Sequence, residues 1–176
     1  MEQQTYVTVN DLREYENYMN IINHRLDLLE QKQRKMVFLE GFAFSEGDVD
    51  NSLRTFKLLA NCANRSIVLI DSKVDLSTLE FFEEKNKDAS LTIITSSASA
   101  LSQSEIDKYI KSHGKLEVLV NDKCEGEQYL IYDDEFFYSA SGHLCDIGRI
   151  FFMMFQIHDD WYKESIKKNV HCIQSL

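Results

Sequence analysis

The run Ser66-Ile67-Val68-Leu69-Ile70-Asp71 constrains the fold more than any other stretch of the chain. It sets four large apolar residues in succession, with no polar residue between them. A half-exposed strand alternates and a surface helix repeats near 3.6 residues, so this run fits a strand covered on both faces. Leu91-Thr92-Ile93-Ile94-Thr95 is of the same kind, Leu116-Glu117-Val118-Leu119-Val120 reads as another strand, and each gap leaves room for a helix. Strands separated by helical segments predict an α/β domain.

The segments between them agree. Val49, Leu53, Phe56, Ala60 and Ala63 recur in steps of three and four, which predicts an amphipathic helix over 49–63. Ser77 to Glu84 reads as a helix, with Ser77 as cap and Glu80 completing a capping box. A Ser-rich loop over 96–102 leads to a helix over 103–112, with Ile106, Tyr109 and Ile110 inward and Gly114 as its stop. Gln128–Asp133 and Glu135–Ala140 read as a hairpin around an acidic corner at Asp133-Asp134. The turn Ser139-Ala140-Ser141-Gly142 then leads to His143 and Asp146. Met36–Leu39 with Phe42–Phe44 predicts a strand broken at Gly41. Ile150–Phe155 predicts a central strand, and Asp159 or Asp160 caps a last helix through Lys168. The expected class is α/β, a mixed β-sheet flanked by helices and preceded by a long N-terminal helix.

That first helix is expected over 10–35, capped by Asn10 or Asp11, with Glu14 close behind. Leu12, Tyr15, Met19, Ile22, Leu26 and Leu29 follow one another in alternating steps of three and four, the a/d spacing of a coiled coil. A stripe this narrow, placed ahead of the globular part, predicts pairing of two chains and a division into 1–35 and 36–176.

Charge narrows the partners. Lys and Arg number 19 against 29 Asp and Glu, for a formal net charge of −10. Affinity for nucleic acid comes largely from cations that neutralise phosphates, so nucleic acid and anionic membrane are not expected as main partners. The start of the chain lacks a basic, apolar leader, and no apolar run reaches the roughly 18 residues of a membrane span. The expected location is cytoplasmic, with Cys62, Cys124, Cys145 and Cys172 as free thiols serving mainly as small core residues. No cofactor is expected. His143 with Cys145 and His171 with Cys172 lack paired ligand spacing, so no metal site is expected either. Asp71 and Asp75 follow a buried strand at the edge where α/β sheets hold ligands, but read first as loop and cap residues.

Three segments carry a resemblance. They are Ser66–Asp71 with Asp75, Leu91–Thr95, and Tyr129-Leu130-Ile131-Tyr132-Asp133-Asp134 leading to Tyr138–Gly148. Over residues 36–170 the chain resembles the single-motif phospholipase D-like domain at the C-terminus of KilA-type phage and prophage regulators. That superfamily works through a His-x-Lys-x-x-x-x-Asp motif, in which His attacks phosphorus and Lys neutralises phosphate oxygens. Counting back from Asp133 puts Gly126 at the His position and Gln128 at the Lys position. The resemblance therefore implies a degenerate motif of which Asp133 alone remains.

His143 lies where the family tends to place a small hydroxyl residue near the phosphate, and it is the weak catalytic candidate beside Asp133. Ser139, Ser141, His143 and Asp146 form the candidate ligand-binding cluster. The expected function is a catalytically inactive phospholipase D-like module that self-associates and binds a protein partner, in a phage or mobile-element regulator. Two alternatives stand beside it. One is a divergent phosphodiesterase or nuclease using His143. The other is an acidic inhibitor of a nucleic-acid-binding host protein.

Overall fold

The structure, a computed structural model, describes residues 9–38, 40–124 and 126–174. Leu39, expected in a strand, and Glu125, at the start of the hairpin region, lie outside them. The chain divides into two compact units, Met1–Val37 and Phe38–Leu176.

The first unit is the helix α1 (Val9–Val37). It starts one residue before the expected cap Asn10 and takes in Met36 and Val37, which were expected in a strand. Helix continues there because no Gly or Pro interrupts it before Gly41. Leu12, Tyr15, Met19, Ile22, Leu26 and Leu29 are all exposed, and so are Tyr18, Ile21 and Leu28.

The second unit is one seven-stranded mixed sheet. Its elements in chain order are β1 (Gly41–Phe44), α2 (Val49–Cys62), β2 (Ser66–Asp71), α3 (Leu76–Glu80), β3 (Ser90–Thr95), α4 (Gln103–His113), β4 (Leu116–Val120), β5 (Gln128–Tyr132), β6 (Phe136–Ala140), β7 (Phe152–Gln156) and α5 (Asp160–Gln174). The strand order is β1-β7-β6-β5-β2-β3-β4. β2, β3 and β4 run parallel, and every other neighbouring pair is antiparallel. β2 sits between β5 and β3 and is buried along both faces, as its unbroken apolar run requires.

One face is packed by α2 and the segment after α3. The fully buried ring of Phe56 meets Phe44, Phe81 and Phe152 at centroid distances of 5.9, 5.1 and 6.4 Å. On the other face Ile166 and Val170 of α5 join Val68, Ile70, Ile94, Ile131 and Phe137 in one cluster. α5 begins at Asp160, with Tyr162 N donating to Asp159 Oδ1 at 2.7 Å, and runs six residues past the expected Lys168.

Four expectations are corrected. The run expected as a central strand over 150–155 becomes β7, one strand in from the edge, where Phe151 and Phe155 stay exposed because α5 does not cover that side. The α3 cap is Asp75, not Ser77: Asp75 accepts from Thr78 N, and Thr78 Oγ1 accepts from Asp75 N. Ile110 is exposed, and α4 turns Tyr109 inward, its hydroxyl donating to Phe82 O at 2.7 Å. Cys124 and Cys145 are buried as expected of small core residues, but Cys172 is exposed.

Candidate functional site

The parallel strands β2 and β3 end at Asp71 and Thr95, and β5 begins beside them, with Gln128 opposite Asp71 in the register. β6 runs back antiparallel, so the turn after Ala140 returns to the same edge. The carboxyl ends of parallel strands are where open α/β sheets form ligand crevices. A cleft of about 550 Å3 opens here, lined by Ser72, Lys73, Ser96, Ala98, Gly126, Gln128 and His143.

Asp71 organises it. The residue is fully buried. Its Oδ1 accepts from His143 Nδ1 at 2.6 Å and from Lys73 N at 3.0 Å, and its Oδ2 accepts from Leu144 N at 2.9 Å. A buried carboxylate persists when its lone pairs are met in this way. Holding Nδ1 fixes the imidazole tautomer and leaves Nε2 for the cleft. Lys73 Nζ donates to both oxygens of Asp146, at 3.0 and 3.1 Å, and this hydrogen bond raises the ammonium above the usual lysine range. The thiol of the neighbouring Cys145 is pushed up to about 11, mainly by burial and then by Asp146. It is no thiolate nucleophile near neutral pH.

Gly126 and Gln128, the positions that the resemblance aligns with His and Lys, also line the cleft. Gly126 sits in the left-handed region at φ 83°, and a Cβ placed on it would meet nothing within 4 Å. Gln128 is half-buried. Neither supplies a nucleophile or a cation.

Asp133 lies at the far end of β5, beyond the length of a strand of about 16 Å. It is fully buried, and its carboxylate accepts from Asn64 N at 2.9 Å, Arg65 N at 2.6 Å and Ser66 N at 2.9 Å. Its backbone carbonyl accepts from the Arg65 guanidinium. It therefore clamps the start of β2 to the hairpin corner and takes no place in the cleft. Asp133 and Asp134 both have positive φ, 57° and 58°, and Glu135 N donates to Tyr132 O at 3.0 Å. With Tyr132 paired to Phe136, the hairpin loop is the three residues Asp133–Glu135, closed by that bond and by two left-handed aspartates.

Of the residues the sequence singled out, His143 and Asp146 belong to the cleft network. Ser141 instead ties its turn to β7: its Oγ accepts from Met153 N, and its N donates to Met153 O, both at 2.8 Å. Ser139 sits on β6 between Tyr129 and Phe155. Asp71, which reads first as a loop residue at the ligand edge, organises the site, and the acid closing a buried parallel strand was its signal; Lys73 was missed. Ser72 and Ser96 carried no signal in the sequence, because only the β2–β3 pairing brings them together; Ser96 Oγ donates to Ser72 O at 2.7 Å. Among the described residues no group of three or more His, Cys, Asp or Glu could hold a metal ion, and no helix is long and apolar enough to cross a membrane.

No family model and no curated protein matches the chain in sequence. Solved structures do match in fold. NucT from Helicobacter pylori aligns with a TM-score of 0.55 at 11% identity, over 77% of this chain and 95% of that one. Nuc from Salmonella typhimurium, a phospholipase D family member, aligns with a TM-score of 0.50 at 14% identity, over the same shares. With this likeness and the seven-stranded mixed sheet, the chain has a phospholipase D-like fold.

Proposed function

We propose that this chain is a phospholipase D-like binding and self-association module in which phosphoryl transfer through the motif positions has been lost. The observation that carries the reading is the cleft at Gly126 and Gln128: the site keeps its place at the sheet edge, but a glycine and a neutral amide stand where nucleophile and cation would be. Asp133 persists for its backbone clamp, which explains its survival without catalysis. α1 pairs copies through Leu12, Tyr15, Met19, Ile22, Leu26 and Leu29. The acidic body then faces a protein partner, as in a phage or mobile-element regulator. Two measurements test this. Bis(p-nitrophenyl) phosphate should be hydrolysed no faster than in buffer, and Leu26→Asp with Leu29→Asp should reduce the assembly to single chains by light scattering.

One observation favours a second reading, a divergent phosphodiesterase. The Asp71–His143 pair aims an oriented imidazole at the cleft, and Lys73 supplies a cation beside it. In that reading the Nε2 lone pair attacks phosphorus, the ester P–O bond breaks, and the leaving oxygen takes a proton from solvent. Water then attacks phosphorus and releases neutral His143. Turnover in the wild type that is abolished in His143→Ala would replace the first reading with this one.

A further inference from the structure

α1 presents far more apolar surface than a two-stranded seam uses. Besides the six a/d residues, Tyr18, Ile21 and Leu28 are 59%, 53% and 51% exposed. At about 100° per residue these nine side chains span roughly 200° of the helix circumference, whereas a two-stranded a/d seam occupies a narrower strip than even an ordinary stripe of about 100°. Arg13, Glu16, Asn17, Asn20, Asn23, His24 and Asp27 fall on the remaining arc. By sequence position Asp11 and Glu14 toward one end and Lys32 and Gln33 toward the other also fall within this arc, with Arg25 between them; the long stem of an Arg can lie along a neighbour while its guanidinium reaches water.

We infer that α1 assembles four copies of this chain, by packing a second seam of Tyr18, Ile21 and Leu28 against a neighbouring helix while the a/d seam packs against another. The inference rests on the reading of α1 as a self-association helix. Helices buried on two adjoining sides are those of four-helix bundles, in which each meets two neighbours. Charge points to copies of this chain as the occupants. Residues 11–16 hold three acids and one base, and residues 32–35 hold three bases and no acid. A helix polarised in this way is complementary to itself when neighbours run antiparallel, since each acidic end then meets a basic one. Such a bundle needs no further partner to cover the second seam.

The test is the mass of the intact chain in solution, by light scattering and native mass spectrometry over a range of concentrations. The wild type should weigh four times the chain mass of 20.6 kDa. Ile21→Lys with Leu28→Lys should halve that mass while far-UV circular dichroism stays unchanged, and the milder Ile21→Gln with Leu28→Gln should shift the balance the same way. Leu26→Asp with Leu29→Asp should give single chains. A wild type that stays at two copies throughout overturns the inference and leaves the self-association reading standing. Four copies that persist in both second-seam variants overturn it as well. A wild type of single chains removes both.

Discussion

At the scale of residues, two buried acids divide structure from site. Asp71 and Asp133 are both fully buried, and both satisfy backbone N–H groups. Only Asp71 also holds a side chain that faces the cleft. Asp133→Ala should cost about 3 kcal/mol in urea unfolding, because three backbone donors lose a charged acceptor in a buried place. Asp71→Ala should cost a similar amount, about 3 kcal/mol, and should also release the imidazole. His143→Ala should cost less, about 1 kcal/mol, since its ring is partly in solvent. The informative readout for Asp71→Ala is the NMR signal of the His143 ring, which should move to that of a freely rotating imidazole. In Asp133→Ala the same signal should not move. The sequence placed His143 and Asp146 in the site and Asp71 at the ligand edge of the sheet, but not the Asp71–His143 and Lys73–Asp146 bonds that join them. Those bonds depend on which strands pair, and contact across 72 or 73 residues leaves no local mark in a sequence.

At the scale of elements, apolar periodicity was the dependable signal and chain ends were not. β2, β3, β4 and the β5–β6 hairpin fall where their apolar runs put them; β2 and β3 are buried along both faces, whereas β4 is an edge strand with no buried residue. β7 was misjudged as central because its aromatic run looks the same whether one face or both are covered, and only the reach of α5 decides. The cap of α3 lies two residues earlier than expected because Asp75 competes well with Ser77 for the helix N-terminus, and the helix ends at Glu80, four residues short of the expected Glu84. Asp75→Ala should therefore cost about 1 kcal/mol of stability. Phe56→Ala should cost about 3–5 kcal/mol, since its ring is fully buried against three others. Two exposed carboxylates at element ends bear on acid stability. Glu105 is held below its ordinary range by the Ser102 backbone N–H, and Asp122 likewise by that of Ser97. Their folded values are depressed, so their contribution is complete above the unfolded carboxylate range and is lost as pH falls through the folded values. Glu105→Gln with Asp122→Asn should flatten the acid limb of a stability–pH curve by lowering stability at neutral pH, and leave the most acidic region, where both carboxylates are already protonated, little changed.

At the scale of the whole molecule, the sheet edge holds a ligand-sized opening with Gly126, Gln128, Lys73 and His143 in its lining. An assay on wild type and His143→Ala together decides between a binding module and a rebuilt phosphodiesterase, and the expected result is no turnover in either. The backbone at residue 126 has a consequence for rebuilding this edge. A histidine placed there would find open room, yet it would have to accept a torsion that most L-residues avoid, at about 1 kcal/mol. A lysine placed at 128 would stand directly across the ladder from a buried anion. Installing reactive groups at these two positions is thus uneven, with charge simple to add and an imidazole obstructed by a twist of the main chain.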